Sequence, residues 1–385
     1  MIQCFQPYLG IEELNAINEV FATNWIGKGN VTQQFTRNFA DYIRADPDRL
    51  TTLNNATEGL FLAMQLLDIG LGDEVILPSI SFVGAANAVM SCGARPIFCD
   101  VDERTLNPTL QHIKAVRTLN TQAIIVLDYG GRPVSDIWAI EQYAEENGIY
   151  LIEDCALSVG ASVQGKACGT IGAIGIWSFD AMKHIAIGTG GMIWCKDAHM
   201  ADRARLLTCC GMPPNTASGY GNAQSSRWWE FNVIDPTGRN NLFDDIRAAI
   251  GIAQLSNIGN NLHIRSTIAD MYDQQLANID WLRRKPVYQP ANTTVSNAFY
   301  WIQVLGDDYS RDKLAMYLRK QGIYTTFRYY PLHTIKAYHH DSSVQLPNTE
   351  WVAEHTLLLP MHASLQDYDV EYICNTIRDY DENKW

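Results

Sequence analysis

Lys183 lies between two apolar segments, a position that first suggests chemistry in this chain. It follows IGIWSFDAM and precedes a glycine-rich turn and a second apolar segment, GMIW. The amine of such a lysine usually reaches solvent while its stem packs against apolar neighbours. In a sheltered cleft, desolvation instead lowers the lysine pKa, and the neutral amine can form a Schiff base with a carbonyl compound. Taken alone, Lys183 fits the first interpretation, but its neighbours favour the second.

Asp154 ends the apolar segment IYLIED, which places it at the carboxyl end of a predicted central strand. In open parallel sheets, ligands bind at that edge. A carboxylate at such depth needs a positive partner. A protonated ring nitrogen would suit it, because the ion pair keeps the ring an electron sink. The alternative is that Asp154, or Glu153 before it, caps the following helix.

Two further segments could bind the rest of a phosphorylated, ring-shaped ligand. In LNNATEGLFLAM, small and polar residues lead into a helix whose first-turn N–H groups, at Ala56 and Thr57, could bind a phosphate. A capped helix without a ligand is the commoner meaning of such a sequence. Phe82, in PSISFVGAANAV, is either a core residue or a flat surface on which a ring stacks.

These residues need a scaffold that brings strand ends and helix starts to one edge. Segments that are apolar on both faces predict strands buried inside a parallel sheet. They lie at 74–77, 96–99, 123–127, 149–152, 174–178 and 191–195. Helical patterns lie near 57–68, 82–91, 108–118 and 135–147. The alternation predicts an α/β domain of three layers around a mostly parallel sheet.

The last third of the chain has a different pattern, which predicts a smaller α+β domain. Its predicted elements are a long helix within 243–280, a strand at 299–306, a helix near 310–321, a strand near 323–329 and a helix near 367–380. We therefore expect a large domain over residues 1–255 and a small C-terminal domain over residues 256–385.

Composition limits the classes of function. The net charge of −13 argues against binding to nucleic acid or to an anionic membrane surface, because both need basic residues. No apolar segment is long enough to span a bilayer, and the first residues do not resemble a signal peptide. The nine scattered cysteines lack C-x-x-C spacing, so we expect reduced thiols, a cytoplasmic protein and no metal site.

Nine ordered segments of this chain resemble the DegT/StrS family of nucleotide-sugar aminotransferases, which are fold-type I enzymes that use pyridoxal 5′-phosphate. They are NNATEGLFLAM, LGDEVILPSISFVGAANAV, GARPIFCDVD, YGGRPVSD, YLIEDCALSVGA, GKACGTIGAIGIWSFDAMK, GTGGMI, GRNNLFDDIRAAIGIAQL and YYPLHTIKAY. The likeness covers nearly the whole chain.

The resemblance implies a role for each candidate residue. Lys183 would be the Schiff-base lysine, and Asp154 would pair with the pyridine nitrogen. The remaining cofactor-binding residues implied by the resemblance are Phe82 against the ring and Ala56, Thr57 and Ser178 at the phosphate. Asn240 would reach the phosphate of a neighbouring subunit, which implies a homodimer with shared active sites.

The resemblance also implies the reaction. L-glutamate would give its amino group to a nucleotide-linked keto-6-deoxy sugar, with the ketone at C4 or C3, in the biosynthesis of surface polysaccharides such as O-antigen or of secondary metabolites. Lys183 would move the protons. Trp25, Arg328 and His333 are candidates for the sugar and its diphosphate, although each could equally be a core or interface residue.

Three other functions within the same structural class remain as alternatives. They are transamination of a keto compound without a nucleotide, dehydration of a sugar, and a catalytically silent role as a cofactor-binding subunit. Relatives that remove a sugar hydroxyl have histidine at the Schiff-base position. Here the lysine is kept and His184 merely follows it, which disfavours dehydration.

Four residues near the expected site depart from the family pattern: Leu157, Thr189, Leu242 and Thr326. Leu157 replaces a glutamine that would contact the ring hydroxyl of the cofactor, so another group must take that contact. Arg239 and Arg328 lie close in sequence to two of the departures and could substitute for the missing arginines.

Overall fold

The computed structural model describes residues 1–213, 232–286, 291–306, 310–338 and 344–380. A seven-stranded sheet with helices on both faces forms the larger part, and a three-stranded sheet with its own helices forms the smaller part. The expected three-layer α/β architecture with an additional α+β unit is confirmed.

Strands of the large sheet lie between residues 50 and 195, and the remaining strands are short or belong to the smaller sheets. The strands of the described residues are β1 (Leu50–Leu53), β2 (Glu74–Pro78), β3 (Arg95–Cys99), β4 (Thr121–Leu127), β5 (Tyr150–Asp154), β6 (Ser162–Val163), β7 (Lys166–Ala167), β8 (Ile174–Ser178), β9 (Gly191–Cys195), β10 (Leu282–Arg284), β11 (Thr293–Thr294), β12 (Tyr300–Val304) and β13 (Thr356–Leu359). All six predicted strands of the large domain are present.

The large sheet has the strand order β1-β9-β8-β5-β4-β2-β3. The pairs from β3 to β8 are parallel, whereas β9 runs antiparallel to both β8 and β1. The carboxyl ends of β5 and β8 are therefore adjacent, because Asp154 is level with Ile176 in the register. Strand β1 was not predicted, since its four residues LTTL give too short a signal.

Helices cover both faces of this sheet. The α-helices of the described residues are α1 (Ile11–Ala22), α2 (Asn30–Ile43), α3 (Ala56–Leu66), α4 (Val83–Ser91), α5 (Leu110–Val116), α6 (Ile137–Glu146), α7 (Ala198–Leu207), α8 (Asp245–Ser256), α9 (Ile258–Gln275), α10 (Arg311–Lys320), α11 (Pro347–His355) and α12 (Asp367–Arg378). Apolar residues of α3 and α4 pack on one side of the sheet, and those of α2 and α8 pack on the other. In the described residues, no helix is long and apolar enough to cross a bilayer.

The predicted long helix is interrupted at Asn257, which separates α8 from α9. Its backbone, at φ −102° and ψ 5°, leaves the helical region for one residue. The predicted domain boundary at residue 255 lies next to this break and stays a prediction.

The small sheet has the order β10-β12-β13. The strand predicted near 323–329 is wrong, because that segment makes only isolated bridges, Ile323 with Ile2 and Thr326 with Leu358. The strand that pairs with β12 at this edge of the small sheet is β13, and not the segment 323–329. Residues 325–331 are thus free to pass from the small sheet towards the end of β2, where Leu332 N donates to the Ser79 carbonyl at 2.9 Å.

The first turn of α8 fixes the start of α2 through Asp245, a buried carboxylate. It accepts hydrogen bonds from Gly29 N at 2.8 Å and from both N and Oγ1 of Thr32 at 2.8 and 2.7 Å. A carboxylate at a helix N-terminus satisfies backbone donors that would otherwise be unpaired. Asp245 therefore ties the loop before α2 to the helix that supports the large sheet.

We expect Asp245→Ala to lower the free energy of unfolding by about 2–4 kcal/mol, because several buried donors lose a charged acceptor. Urea unfolding of the cofactor-free protein measures this change. The matched control is Asp312→Ala in the first turn of α10, where the side chain is 77% exposed and pairs with Arg311. Its effect should stay within about 0.5 kcal/mol. Equal effects of the two substitutions would contradict the role assigned to Asp245.

Candidate active site

The turn between β8 and β9 carries Lys183 to the carboxyl edge of the large sheet. Two backbone hydrogen bonds close this turn, from Ala181 N to the Gly188 carbonyl at 3.1 Å and from Ile187 N to the Phe179 carbonyl at 3.1 Å. Strand β8 before the turn is fully buried, and His184 directly after Lys183 is buried as well. Lys183 is therefore presented from a turn that is anchored on both sides.

Lys183 and Asp154 lie close enough to affect each other's ionisation. Burial lowers the pKa of Lys183 to about 8, although the carboxylates of Asp154 and Asp180 oppose that shift. Burial also raises the pKa of Asp154 to about 6, opposed by a hydrogen bond from Ala156 N and by the charge of Lys183. The site thus holds an amine that is easily deprotonated next to a carboxylate that is poorly solvated. A neutral amine can react with a carbonyl group, and a poorly solvated carboxylate favours a cation. The pair is therefore suited to a ligand that has both a carbonyl and a positive charge.

The two adjacent acids at the end of β5 have different roles. Glu153 accepts hydrogen bonds from Gly169 N at 2.8 Å, Ile171 N at 2.7 Å and Gly172 N at 2.7 Å. It therefore holds the turn before β8, on the side of the strand opposite to Asp154. Because Glu153 is engaged by this turn, Asp154 is the candidate carboxylate for a ligand, and its role stays a prediction.

The first turn of α3 has the geometry of a phosphate site. Asn55 caps the helix by accepting a hydrogen bond from Glu58 N at 2.9 Å. The glycine at position 191 allows β9 to approach closely, because a Cβ there would lie 2.6 Å from Ala56 N. The N–H groups of Ala56 and Thr57 belong to the part of the helix that has no intrahelical acceptor, so they can bind an anion.

Phe82 and Ser178 lie at the neighbouring strand ends. Phe82 immediately precedes α4 and is 43% exposed, so it is not a core residue. A Cβ at Gly84 would lie 3.0 Å from both Thr57 Cγ2 and the Phe82 ring, which places these two side chains side by side. Ser178 is the last residue of β8, and its hydroxyl accepts a hydrogen bond from Asp180 N at 3.3 Å.

Tyr329 is a site residue that the sequence analysis missed. Its ring lies edge-on to Phe82, with centroids 6.0 Å apart. Burial, followed by the nearby Asp154 carboxylate, raises the pKa of its hydroxyl. The preceding carbonyl, of Arg328, accepts a hydrogen bond from the Tyr129 hydroxyl, which fixes the segment in place. The interpretation of 323–329 as a strand concealed this residue.

Arg328 also reaches the lysine turn. Its guanidinium lies 4.8 Å from the centroid of the Phe5 ring and 3.5 Å from Met182 Sδ. These contacts hold the positive charge of Arg328 close to Lys183, and that charge helps to lower the pKa of the Lys183 amine. The contact of Arg328 with an anionic part of the substrate stays a prediction.

His333, Trp25 and Asn240 take other positions. The His333 imidazole lies between Ser79 Oγ at 2.7 Å and Glu350 Oε1 at 3.3 Å, and its side chain is only 6% exposed. Trp25 Nε1 donates to the Lys28 carbonyl at 3.2 Å within the loop before α2. Asn240 is exposed next to Cys209, so it is accessible to a neighbouring subunit.

His184 takes no part in the candidate site. Its Nε2 donates to the Ser296 carbonyl at 2.9 Å, and burial lowers its pKa well below the usual value. A neutral, buried imidazole bonded to a carbonyl stabilises the packing between two segments. Among the residues that the structure describes, no group of three histidine, cysteine, aspartate or glutamate side chains could hold a metal ion.

Comparisons with known proteins identify the family of this chain. The model of the DegT/DnrJ/EryC1/StrS aminotransferase family matches residues 7–378. The chain is 45% identical to dTDP-4-dehydro-2,3,6-trideoxy-D-glucose 4-aminotransferase of Saccharopolyspora spinosa, over 97% of this chain and 95% of that protein. It is 32% identical to GDP-perosamine synthase of Caulobacter vibrioides, over 95% of each protein.

Solved structures give the same result. The crystal structure of the aminotransferase TlmJ from Streptoalloteichus hindustanus matches with a TM-score of 0.91 and 46% identity, over 98% of both chains. This agreement extends over both the large sheet and the small sheet.

We expect Asp154→Asn to raise the stability of the cofactor-free protein by about 1–3 kcal/mol at pH 7.5, because the raised pKa means that folding disfavours the charged carboxylate. The advantage should disappear as the pH falls below about 4, where the wild-type carboxyl is protonated in both states. Urea unfolding at several pH values tests this.

Glu153→Ala is the matched comparison. It leaves the N–H groups of the 169–172 turn without their acceptor, so it should destabilise by roughly 3 kcal/mol or more. If Asp154→Asn destabilised the protein as strongly, Asp154 would be a structural residue.

Proposed function

We propose a reaction for this chain from one premise: the chain belongs to the DegT/DnrJ/EryC1/StrS aminotransferase family. It is accordingly an aminotransferase that depends on pyridoxal 5′-phosphate. We propose that it transfers the amino group of L-glutamate to the C4 ketone of a dTDP-linked 6-deoxy sugar. The observation that carries this choice is the 45% identity, over nearly the whole chain, to an enzyme named for a dTDP-4-keto trideoxy sugar.

The residues of the site fit the cofactor. Asp154 would pair with the protonated ring nitrogen of the cofactor. Burial deprives this carboxylate of solvation, so its charged form needs a positive partner. Phe82 would cover one face of the ring, and the N–H groups of Ala56 and Thr57, with Ser178, would hold the phosphate. When bound, pyridoxal phosphate supplies an electron sink that lets the amino-acid Cα lose its hydrogen as a proton.

Lys183 would anchor the cofactor and move the protons. A primary amine with a pKa near 8 accepts and returns a proton efficiently at neutral pH. It would take the proton from the glutamate Cα and later deliver one to the sugar C4, always from the side of the turn on which it lies. The stereochemistry of the new amine would follow from that fixed side.

Arg328 and Tyr329 would contact the substrates. The Arg328 guanidinium could bind the carboxylate of glutamate or the sugar diphosphate in alternate half-reactions, because both are anions. The Tyr329 hydroxyl, held protonated, could donate a hydrogen bond into the same space. We propose that His333 positions this segment by joining Ser79 and Glu350. Trp25 stays a candidate for contact with the sugar or its diphosphate.

We propose a homodimer with two shared sites. One side of α1 exposes Ile11, Leu14 and Phe21, each more than half exposed, although large apolar side chains on a surface helix usually pack. Phe82 and Met182, at the edge of the candidate site, are exposed as well. Pairing would cover these side chains and bring Asn240 to the partner's phosphate site, as the sequence analysis expects.

The biosynthetic setting is also a proposal. Relatives include the spore coat polysaccharide biosynthesis protein SpsC of Bacillus subtilis, at 30% identity, so a product amino sugar for a surface polysaccharide or a secondary metabolite is consistent. All nine cysteines lie in the described residues and are unbridged, which supports a reducing compartment such as the cytoplasm.

The substrate proposal predicts a pattern of half-reactions. L-glutamate alone should bleach the yellow protein, and dTDP-4-keto-6-deoxy sugars should restore the colour. GDP-linked 4-keto sugars and dTDP-3-keto sugars should react roughly tenfold or more slowly, since they misplace the nucleotide or the ketone. Stopped-flow absorbance measures each rate. Loss of colour with glutamate, followed by no recovery with any 4-keto sugar, would exclude the proposed acceptor while leaving the aminotransferase activity intact.

The pKa of Lys183 predicts how fast the cofactor-free protein captures pyridoxal phosphate. Only the neutral amine attacks the aldehyde, so the capture rate should rise with pH and reach half its maximum near pH 8. An ordinary lysine would not reach half its maximum below about pH 10.

Lys183→Ala should abolish covalent trapping of the cofactor by borohydride. The control Lys196→Gln removes an amine that pairs with Glu141 and Glu145, and it should leave capture unchanged. Trapping that persists in Lys183→Ala would identify another lysine as the anchor.

A further inference from the structure

Arg247, in the first turn of α8, makes an unusual set of contacts with the segment before α3. It donates to the Asn54 carbonyl at 3.3 Å and to Asn54 Oδ1 at 3.0 Å. It also donates to the Leu242 carbonyl at 3.3 Å, and its Nε pairs with Asp244 at 2.6 Å. One guanidinium thus contacts four acceptors on three residues, and only 18% of the Arg247 side chain is exposed.

Asn54 is held by two other groups as well. Its N–H donates to Asn241 Oδ1 at 2.8 Å, and its carbonyl accepts a hydrogen bond from the Thr189 hydroxyl at 3.2 Å. The backbone and side chain of Asn54 are therefore fixed by the 239–247 segment and by the turn before β9. Such convergence is more than a loop of two residues needs to connect a strand with a helix.

The contacts of Asn54 matter because this residue lies just before the start of α3. It directly precedes Asn55, the N-cap of α3, and Asn55 in turn precedes Ala56 and Thr57. The directions of the first N–H groups of a helix depend on the backbone of the residues that enter it. A small rotation at Asn54 would turn these donors away from a bound phosphate, and a misdirected hydrogen bond loses most of its strength.

The Arg247 side chain is itself prevented from moving. Asp244 caps α8 by accepting from Arg247 N at 2.8 Å and binds the guanidinium with its other oxygen. The guanidinium also lies over the Phe243 ring, 4.6 Å from its centroid. The planar, multi-donor group of arginine suits this task, whereas a lysine could satisfy only part of the same acceptors.

We propose that Arg247 is a positioning residue for the phosphate of the cofactor: it fixes the Asn54–Asn55 turn so that the first N–H groups of α3 point at the phosphate. The inference rests on the proposed cofactor site at Ala56 and Thr57. It assigns to α8, which supports the sheet, a direct effect on the strength of cofactor binding.

The test compares pyridoxal phosphate with pyridoxal, which has the same ring and aldehyde but no phosphate. Both are titrated by absorbance and fluorescence into the full-length protein after cofactor removal. Arg247→Gln should weaken pyridoxal phosphate about tenfold, equivalent to the loss of one well-directed charged hydrogen bond. It should leave the affinity for pyridoxal unchanged, so that the ratio of the two affinities falls about tenfold.

Arg203→Gln is the matched control. Arg203 also donates to a carbonyl of α3, that of Leu66 at 3.3 Å, and pairs with Asp68, but it does so at the opposite end of the helix. Its removal should leave both affinities unchanged. Arg247→Lys, which keeps the charge, should give an intermediate loss for pyridoxal phosphate alone, and it carries the same comparison if Arg247→Gln does not fold.

Two results would overturn the inference. If both ligands weakened equally, Arg247 would support the fold or the ring pocket and not the phosphate turn. If neither weakened, the contacts with Asn54 would have no effect on binding. Failure of the wild-type protein to bind pyridoxal phosphate would instead refute the proposed function, so the two failures can be told apart.

Discussion

The candidate active site depends on keeping two opposite charges out of water at one edge of the sheet. Burial disfavours the charged form of both Lys183 and Asp154, and their mutual attraction offsets only part of the cost, since the pKa values remain at about 8 and about 6. Two such groups stay together only if the surrounding fold forbids them to move apart. The central strands supply that constraint, because β5 and β8 are adjacent and parallel.

The first turn of α8 is the second constraint, and it acts at a distance from the lysine. Two side chains of this turn bind other elements: Asp245 accepts hydrogen bonds at the start of α2, and Arg247 donates to the turn before α3. One helix start therefore orients two others. The charges of Asp245 and Arg247 can be largely withdrawn from solvent because each has a backbone partner in another element.

Sequence patterns predicted the parts of the site that lie next to strong local signals. Asp154 and Ser178 end clearly apolar strands, and Lys183 follows one of them, so the edge of the sheet could be inferred from order alone. Tyr329 could not, because its segment has a strand-like composition but pairs only at isolated bridges. Arg247 could not either, since Asn54 lies 193 residues away and no local pattern reports a contact over that distance.

The departures from the family pattern gain a physical interpretation around α3. Thr189 and the segment containing Leu242 both contact or flank Asn54, so these changes concern the turn that enters the helix. Arg239, which the sequence analysis offered as a substitute for a missing arginine, contacts the first turn of α3. It pairs with Glu58 at 3.2 Å in the first turn of α3. An uncompensated carboxylate there would repel a phosphate at the same helix start, and the pair reduces that repulsion. Two arginines thus act on the N-terminus of α3: Arg247 fixes the backbone that enters the helix, and Arg239 offsets the negative charge of Glu58.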